Sequence, residues 1–259
     1  MEETKARRAA EALLSEHKAG VKFKTLDPGT GLASMPDAYD IQDQYVALLR
    51  AEHGNTIGYK VGLTSKTMQT FCGIDHPIGG VVLAKREHQS GATIRRADYG
   101  RLGLEFEIAV RIKSDIPATA STPAAIAPHI EGVCAAIEIV DDRAADYGKL
   151  DVKSLVADNS WNGGVVLSDF TAKWPDLESM LGKATQNGSP AGEGYGRDIL
   201  GHPFNSVAWL NTQLASRGGG LRRGQIVMTG SVMKTVFPTE PADFRFEFAG
   251  LGAVEVKVT

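Results

Sequence analysis

Two glutamates set two residues apart are the first candidates for chemistry in this sequence. In residues 104–110, the alternation of a β-strand places Glu105 and Glu107 on one face and Phe106 and Ile108 on the other. Two acidic groups that point the same way are suited to holding a metal ion. The same pattern is also typical of a half-buried strand whose polar face meets solvent, so the pair alone leaves both interpretations open.

A third carboxylate favours the metal interpretation. Glu138 lies within residues 133–140, an otherwise apolar run that predicts a strand buried on both faces. An ionised carboxylate there costs on the order of several kcal/mol unless a cation or hydrogen-bond donors compensate. Carboxylates from two strands offer the oxygen ligands that Mg²⁺, Mn²⁺ or Ca²⁺ prefer, and no cysteine and histidine cluster has zinc spacing. A buried salt bridge from Glu138 to Arg143 or Lys60 is the alternative.

Lys60 is the candidate for proton transfer. It lies in a strand-like stretch between Gly58 and Gly62, which lack side chains and would let a ligand or another backbone approach closely. A lysine near a pocket can have its pKa lowered enough for acid–base chemistry. The alternative is an exposed lysine on a strand.

Two further polar segments have simple local explanations. Residues 157–160 end in Asp158, Asn159 and Ser160, which hydrogen-bond their own backbone and therefore predict a turn. His202 precedes Pro203 at the start of a predicted helix, where free backbone N–H groups can face an anion. We expect His202 to cap that helix.

The elements that position these residues form a small helical part followed by a sheet. Amphipathic helices are predicted at residues 5–18, 37–51 and 203–217. Between and after them the sequence predicts short strands at residues 56–63, 80–84, 104–112, 133–140, 163–167, 225–229 and 253–258. Residues 113–127 are predicted to form a loop with a short helical turn. Without a regular strand–helix alternation, the pattern argues against a Rossmann fold or an α/β barrel and for an α+β mixed-sheet fold.

Composition favours a small-molecule partner. The chain has 259 residues, with 28 basic and 31 acidic ones, and no basic run longer than Arg222-Arg223. Nothing in this balance suggests a nucleic-acid groove or an anionic membrane surface. Cys72 and Cys134 lie in apolar surroundings, the start lacks the apolar core of a signal peptide, and no run of about 18 apolar residues occurs. We therefore expect a soluble, cytoplasmic protein.

A series of motifs, in order, resembles the hydratase/decarboxylase family of the fumarylacetoacetate hydrolase superfamily. That family includes 2-keto-4-pentenoate hydratases, 2-oxohept-4-ene-dioate hydratases and 4-oxalocrotonate decarboxylases. The resemblance runs from about Asp37 to the C-terminus. Its motifs are GYKVGLTSK (58–66), GIDHP (73–77), EFE (105–107), IEIV (137–140), ADN (157–159), GHP (201–203), WL (209–210) and TGS (229–231).

The resemblance implies a fold and a division of the chain. The fold is α+β, a mixed β-sheet roll of the fumarylacetoacetate hydrolase type with a small N-terminal helical region. We expect residues 1–55 to form that helical region and residues 56–259 to form the catalytic domain. The resemblance also implies a homo-oligomer and raises association with another enzyme of the same pathway.

The resemblance also assigns roles at the site. It implies that Glu105, Glu107 and Glu138 hold Mg²⁺ or Mn²⁺, which binds the carboxylate and the 2-oxygen of the substrate. Lys60 becomes the proton-transfer group. Residues 159–161 are placed beside the substrate, where either Asn159 or Ser160 would donate a hydrogen bond to its carboxylate.

Two positions depart from the family pattern. Where the hydratases have an aspartate that helps to handle the attacking water, this chain has Ile78, which cannot transfer a proton. Asp75 or His76 is the neighbour expected to take over that role, unless the reaction is not the usual hydration. Trp161 replaces a small residue, which predicts a reshaped substrate pocket.

The resulting functional hypothesis is a lyase of aromatic catabolism by meta-cleavage. The enzyme would add water to a 2-hydroxy-2,4-dienoate, the tautomer of a 2-keto-4-enoate, and give a 4-hydroxy-2-keto acid. Decarboxylation of a 2-oxo diacid of the 4-oxalocrotonate type is the second hypothesis. A non-catalytic partner subunit that keeps the fold is a third, against which the retained Lys60 and glutamates speak.

Overall fold

The helical part of the molecule is built from two long helices that pack on each other. The computed structural model describes residues 1–259, with helices α1 (Glu3–Lys18), α2 (Met35–His53), α3 (Lys66–Phe71), α4 (Pro123–Ile126), α5 (Val152–Ala157) and α6 (Pro203–Ser216). Helix α1 buries Ala6, Ala10 and Leu13 in a cluster with Ile41 and Tyr45 of α2. The predicted amphipathic stripes are therefore confirmed, because each faces the other helix.

Local capping explains where the helices begin. Ser34 and Asp37 form a reciprocal capping box at the start of α2. His202 precedes α6, and its Nδ1 accepts a hydrogen bond from the Phe204 backbone N–H at 3.0 Å. The predicted capping role of His202 is confirmed. The segment 113–127 contains only the short helix α4, as its composition predicts.

The strands form two sheets. They are β1 (Thr56–Gly62), β2 (Ile78–Leu83), β3 (Glu87–Gln89), β4 (Ala92–Ile94), β5 (Leu102–Ile112), β6 (Ile130–Asp141), β7 (Asn162–Leu167), β8 (Leu181–Gln186), β9 (Ser189–Tyr195), β10 (Ile226–Ser231), β11 (Ala242–Phe248) and β12 (Gly252–Val258). The seven-stranded sheet has the order β2-β1-β10-β5-β6-β7-β3, and the five-stranded sheet has the order β4-β12-β11-β8-β9. Strands β1 and β10 are parallel, whereas β5 and β6 are antiparallel, so the predicted α+β mixed-sheet fold is confirmed.

The large sheet curls and buries both of its faces. Strand β2 at one edge contacts β7 near the other edge, although the two are not neighbours in the sheet. One face carries large side chains such as Phe106 and Ile137, which pack against Phe246 of the second sheet. The other face, inside the curl, carries smaller side chains, Ala109 and Cys134 among them. By strand alternation, this inner face also bears Glu107 and Glu138.

Some strands escape the sequence prediction. Strands β8 and β9 carry glycine, proline and charged residues, so their hairpin has little apolar signal. Strand β11 does alternate buried and exposed residues, and its period-two pattern is present in the sequence. No helix in the structure is both long enough and apolar enough to cross a lipid bilayer.

Candidate metal site

Three glutamates converge on the inner face of the large sheet. Glu105 on β5 is directly opposite Glu138 on β6, and Glu107 follows two residues along β5 on the same face. One carboxylate oxygen of each lies within 4.8 Å of the others. Glu107 and Glu138 are both 0% exposed, so the interpretation of this face as a solvent face is wrong.

Lys60 joins the three carboxylates from β1. Its side chain is buried, and Nζ lies 3.4 Å from Glu138 Oε1. Arg143, the other candidate partner of Glu138, is instead bound to Asp158 Oδ2 at 2.6 Å. The predicted salt bridge of Glu138 is therefore made with Lys60, inside the carboxylate cluster. The alternative of an exposed lysine is wrong.

Gly62 leaves room beside Lys60. A Cβ at Gly62 would lie 3.0 Å from Lys60 Nζ and 3.4 Å from Cγ1 of Ile78. Contacts that short force the neighbour to move. Gly62 therefore leaves the space in which the lysine ammonium reaches the carboxylates, and it places Ile78 on the flank of that ammonium.

The charges of the cluster do not balance within the protein. Three carboxylates against one ammonium leave a formal charge of −2. Burial raises the pKa of Glu138 to about 7, partly offset by Lys60, and burial with the charge of Glu138 raises the pKa of Glu107 well above its usual range. Burial alone would lower the pKa of Lys60, but the three carboxylates raise it. The sequence suggests a lowered pKa for Lys60, whereas in the structure this pKa is raised as long as the carboxylates keep their negative charge.

The oxygen atoms are arranged as a divalent cation requires. One oxygen of each carboxylate is held by a protein donor: Glu105 Oε1 by the Thr235 hydroxyl, Glu107 Oε2 by the Gly230 N–H and Glu138 Oε1 by the Asn162 amide. The second oxygens of Glu107 and Glu138 are buried and have no hydrogen-bond partner. Such orphaned acceptors are costly, and an oxygen-preferring cation would satisfy both. The residues present therefore fit a divalent metal ion, which would also neutralise the charge of −2.

The donors that hold these carboxylates were missed by the sequence reasoning. Asn162 is 5% exposed, and its Nδ2 lies 2.9 Å from Glu138 Oε1. The signal for it is a polar residue at the head of an otherwise apolar strand. Thr235 lies in a segment without regular structure, and its hydroxyl is 2.7 Å from Glu105 Oε1. No local pattern in the sequence indicates that contact.

The turn before β7 is strained. Asn159, Ser160 and Trp161 all have left-handed backbone conformations, with φ of 50°, 49° and 59°. Such conformations cost on the order of 1–2 kcal/mol per residue outside glycine. Side-chain bonds to β2 hold the turn: Asn159 bonds both the N–H and the C=O of Val81, and Ser160 donates to the C=O of Gly79. A strained and buried turn of this kind is typical of a functional site.

The same bonds bear on the predicted substrate-binding residues. The side chains of Asn159 and Ser160 form hydrogen bonds with the backbone of β2. Trp161 packs edge-on against Phe23 and Tyr147, and its indole N–H has no partner. All three residues are buried and directly precede Asn162, whose amide binds Glu138. Their contact with substrate stays a prediction.

The substitutes expected for the family aspartate lie on the segment before β2. Asp75 is exposed, whereas Ile78 is 1% exposed and packs in an apolar cluster with Trp161 and Val140. His76 Nδ1 lies 2.7 Å from the carbonyl oxygen of Pro77. Neither Asp75 nor His76 forms a hydrogen bond with Lys60 or the glutamates. Their catalytic role stays a prediction.

Comparison with known proteins shows which family the chain belongs to. The profile described as fumarylacetoacetate (FAA) hydrolase C-terminal matches residues 65–259, about three quarters of the chain. The chain belongs to the fumarylacetoacetate hydrolase family. Its catalytic-site motifs from Ser65 onward lie within that match, including the three glutamates.

Curated relatives within this family are hydratases and a decarboxylase. The chain is 30% identical to 2-hydroxyhexa-2,4-dienoate hydratase of Comamonas testosteroni over 264 residues, which covers 99% of this chain and 97% of that protein. It is also 30% identical to 4-oxalocrotonate decarboxylase of Pseudomonas putida, over 85% of this chain and 84% of that protein. The resemblance inferred from the motifs is confirmed.

A solved structure shows the same fold along the whole chain. 4-Oxalocrotonate decarboxylase from Pseudomonas putida G7, complexed with magnesium and adipate, superposes with a TM-score of 0.93 and covers 100% of this chain and 99% of its own. The sequence identity is 24%, so the likeness speaks for the fold. The predicted roll of the fumarylacetoacetate hydrolase type is confirmed.

Proposed function

We propose that this protein is a metal-dependent hydratase. It adds water to a 2-hydroxy-2,4-dienoate, the tautomer of a 2-keto-4-enoate, and yields a 4-hydroxy-2-keto acid, as in the meta-cleavage catabolism of aromatic compounds. One observation carries the proposal: a buried ammonium, Lys60, lies 3.4 Å from one of three converging carboxylates whose charge it does not balance. The relative from Comamonas testosteroni, a 2-hydroxyhexa-2,4-dienoate hydratase, supports the reaction class.

Glu105, Glu107 and Glu138 would hold the cation, Mg²⁺ or Mn²⁺. The orphaned oxygens of Glu107 and Glu138 and the net charge of the cluster support this assignment, as does the magnesium bound by the decarboxylase of the same fold. When bound, a divalent ion supplies Lewis-acid polarisation of the substrate oxygens. The Thr235 hydroxyl, the Gly230 N–H and the Asn162 amide fix the orientation of the carboxylates, and this limits how far they rearrange.

Lys60 is the group that we propose moves the proton. Hydration places a hydroxyl on C4 of the substrate and a hydrogen on C5, so a protein group must exchange a proton with the carbon chain. Lys60 is 4% exposed, and the curl of the sheet shields it from bulk water. Ile78 lies beside this ammonium, and its side chain has no proton to exchange.

The surroundings favour a substrate with one carboxylate over a diacid. Two arginines of this part of the molecule are already engaged, Arg143 with Asp158 and Arg101 with Asp142 in a bidentate pair. The wall around Ile78 is apolar and includes Trp161 and Val140. A second carboxylate on the substrate would be desolvated against that apolar wall.

A decarboxylase acting on a 2-oxo diacid is the second candidate. It is favoured by Ile78 itself, because decarboxylation needs no attacking water and hence no acid at that position. The 4-oxalocrotonate decarboxylase of Pseudomonas putida, equally similar at 30% identity, supports the reaction class. A non-catalytic partner subunit is disfavoured, since Lys60 and all three glutamates are present and assembled.

A substrate panel separates these functions. The isolated protein is assayed with Mg²⁺ or Mn²⁺ on 2-hydroxypenta-2,4-dienoate, 2-hydroxyhexa-2,4-dienoate and 4-oxalocrotonate, following loss of ultraviolet absorbance and release of carbon dioxide. The proposal expects hydration of a dienoate monoacid without carbon dioxide. Stoichiometric carbon dioxide from the diacid and no hydrated product would replace it by the decarboxylase. Failure of every substrate with either metal would favour a non-catalytic role.

Location and assembly also belong to the proposal. We propose a homo-oligomer in the cytoplasm, which rests on the family resemblance and on the two free cysteines, Cys72 and Cys134. Sedimentation of the purified protein tests the oligomer, and a monomer at micromolar concentration would contradict it. Co-purification from the source cell tests association with another enzyme of the pathway.

A further inference from the structure

A cavity lies beside the N-terminal helices, next to Asn162. It has a volume of about 630 Å³ and is bounded by α1, by α2 and by the residues at the start of β7. Neither Lys60 nor any of the three glutamates lines it. Its volume is in the range of small-molecule sites, and no step of the proposed hydration uses it.

An unpaired arginine lines this cavity. Arg86 is half-buried and forms no ion pair with a carboxylate: its guanidinium donates to the backbone C=O of Asn162 at 2.9 Å and lies 3.1 Å from His53 Nε2. Burial and the charge of Arg86 lower the pKa of His53, so the imidazole is neutral. Lys18 and Lys22 at the rim also lack acidic partners. Three cations of the lining, Arg86 foremost, are therefore not held in ion pairs.

Four acidic residues line the cavity, and three of them are bonded to other groups, Asp98 among them through Arg95 at 3.3 Å, whereas the exposed Glu52 forms no ion pair. Asp158 binds both Arg143 at 2.6 Å and His17 at 2.6 Å. Asp141 accepts backbone N–H bonds from Arg101 and Arg143 at 3.1 Å each. Asp158 and Asp141 are thus bonded to other groups, so they do not neutralise Arg86.

Buried polar atoms of the lining residues lack partners. The indole N–H of Trp161, the Nε–H of Arg143 and the Oδ1 of Asn162 have no hydrogen-bond partner, and these residues are 7%, 3% and 5% exposed. Unsatisfied buried groups are rare in native proteins and call for an explanation. Two of these three atoms are hydrogen-bond donors, which is what an anion requires of its site.

The remaining wall is largely apolar and aromatic. Tyr45, Tyr99 and Trp161 contribute rings, and Leu14 and Leu49 contribute aliphatic surface. Together with the donors, these residues match a molecule with a flat apolar body and one anionic end. We propose that the cavity is a second ligand site, separate from the metal site, which binds an aromatic or unsaturated carboxylate with its charged end at Arg86.

Asn162 connects the cavity to the metal site, and the predicted substrate-binding residues Asn159 and Trp161 also line the cavity. The Nδ2 of Asn162 donates to Glu138 Oε1 at 2.9 Å. Its Oδ1 has no hydrogen-bond partner, and Asn162 also lines the cavity. The two sites are therefore adjacent but chemically distinct: one offers carboxylate oxygens to a cation, and the other offers N–H donors to an anion.

Binding to protein freed of metal with a chelator tests the proposal, since the uncompensated glutamates then repel anions from the metal site. Benzoate is titrated by calorimetry, with benzamide as the uncharged analogue and inorganic phosphate as the anion without an apolar body. We expect benzoate to bind with a dissociation constant of roughly millimolar or tighter. Benzamide and phosphate should each bind at least about tenfold more weakly.

Four variants locate the binding. Arg86→Gln should weaken benzoate at least about tenfold, and Ala97→Phe, at an exposed position on the rim, should do so by filling the mouth without removing a contact. Arg8→Gln is the matched control, because Arg8 is an exposed arginine on α1 that lies outside the cavity and forms no ion pair. Lys60→Met tests the metal site, and both variants should bind benzoate as the parent does. Unchanged affinity in Arg86→Gln and Ala97→Phe, loss of binding in Lys60→Met, or equal affinity for benzamide or phosphate would each overturn the proposal.

Discussion

Glu105 and Glu138 face each other directly across the antiparallel pair formed by β5 and β6. Like charges in directly opposed positions destabilise a sheet, and here Glu138 is fully buried as well. A fold that keeps such a pair must gain from it elsewhere. A divalent cation between them and Glu107 accounts for the arrangement, and the first prediction follows from it.

Replacing Glu138 by glutamine should abolish binding of Mg²⁺ and Mn²⁺ with little change of fold. Glutamine keeps the shape and still accepts from Asn162, but it removes the charge that attracts the ion. Because an unbalanced buried charge also disappears, the metal-free variant should melt at the same or a higher temperature than the parent. Glu131→Gln, an exposed position on the same strand, is the matched control. Calorimetry that gave parental Mg²⁺ affinity in Glu138→Gln would contradict the assignment.

The Asn162 amide should contribute to metal affinity through Glu138. Asn162→Ala removes the donor that holds Glu138 Oε1, and loss of such an orienting contact typically weakens metal binding by about 10–100-fold. Asn205→Ala serves as control, since it removes an amide bond to the Leu200 carbonyl, remote from the metal site. Parental Mg²⁺ affinity in Asn162→Ala would show that the sheet alone orients Glu138.

Asp75 or His76 is predicted to take over the role that Ile78 cannot perform. Asp75→Asn or His76→Ala should lower kcat by at least about tenfold, with Mg²⁺ affinity unchanged, because the effective substitution removes a proton-handling group and no ligand. Asp146→Asn, another exposed loop aspartate, is the control. If both variants turn over like the parent, neither residue handles the water and Lys60 is the sole acid–base group.

The histidine cap of α6 should make stability depend on pH. Burial lowers the pKa of His202, and its neutral Nδ1 accepts the Phe204 N–H. As pH falls below the ordinary histidine value of about 6.5, the unfolded chain takes up a proton that the folded chain resists, so folding loses stability in that window. His202→Asn keeps a capping acceptor without titrating. Its melting temperature should fall less than that of the parent between pH 7.5 and 5.5, and equal losses would refute the linkage.

The sequence predicts the central strands and the metal ligands because both depend on local patterns. Alternation places Glu105 and Glu107 on one face, and the apolar run around Glu138 makes a buried carboxylate conspicuous. The identity of the cation that pairs with Glu138 is not a local property. Lys60 and Arg143 are both plausible partners from the sequence, and only the curl of the sheet brings Lys60 of β1 to Glu138 of β6, although β10 and β5 lie between these strands in the sheet order.

The features that escaped prediction arise from tertiary contacts. The raised pKa of Lys60 results from three carboxylates on two other strands, so no property of residues 57–62 indicates it. Thr235 reaches Glu105 across 130 positions of sequence. The left-handed turn at residues 159–161 is tolerated only because β2 holds it in place.

The central claim is that Lys60 moves the proton beside a divalent ion held by three glutamates. Lys60→Met keeps much of the apolar stem and removes the ammonium. Single-group proton transfer is typically worth about 10²–10⁴ in rate, so kcat on the best dienoate should fall at least about a hundredfold. Mg²⁺ should bind as tightly as in the parent or more tightly, because a positive charge is lost from the site.

The decisive measurement is therefore kcat of Lys60→Met at saturating Mg²⁺, with metal occupancy verified by calorimetry on the same preparation. A loss of at least about a hundredfold in kcat with full metal occupancy is the result that the account predicts. Turnover within a few-fold of the parent would contradict it and would show that Lys60 only balances charge in the carboxylate cluster.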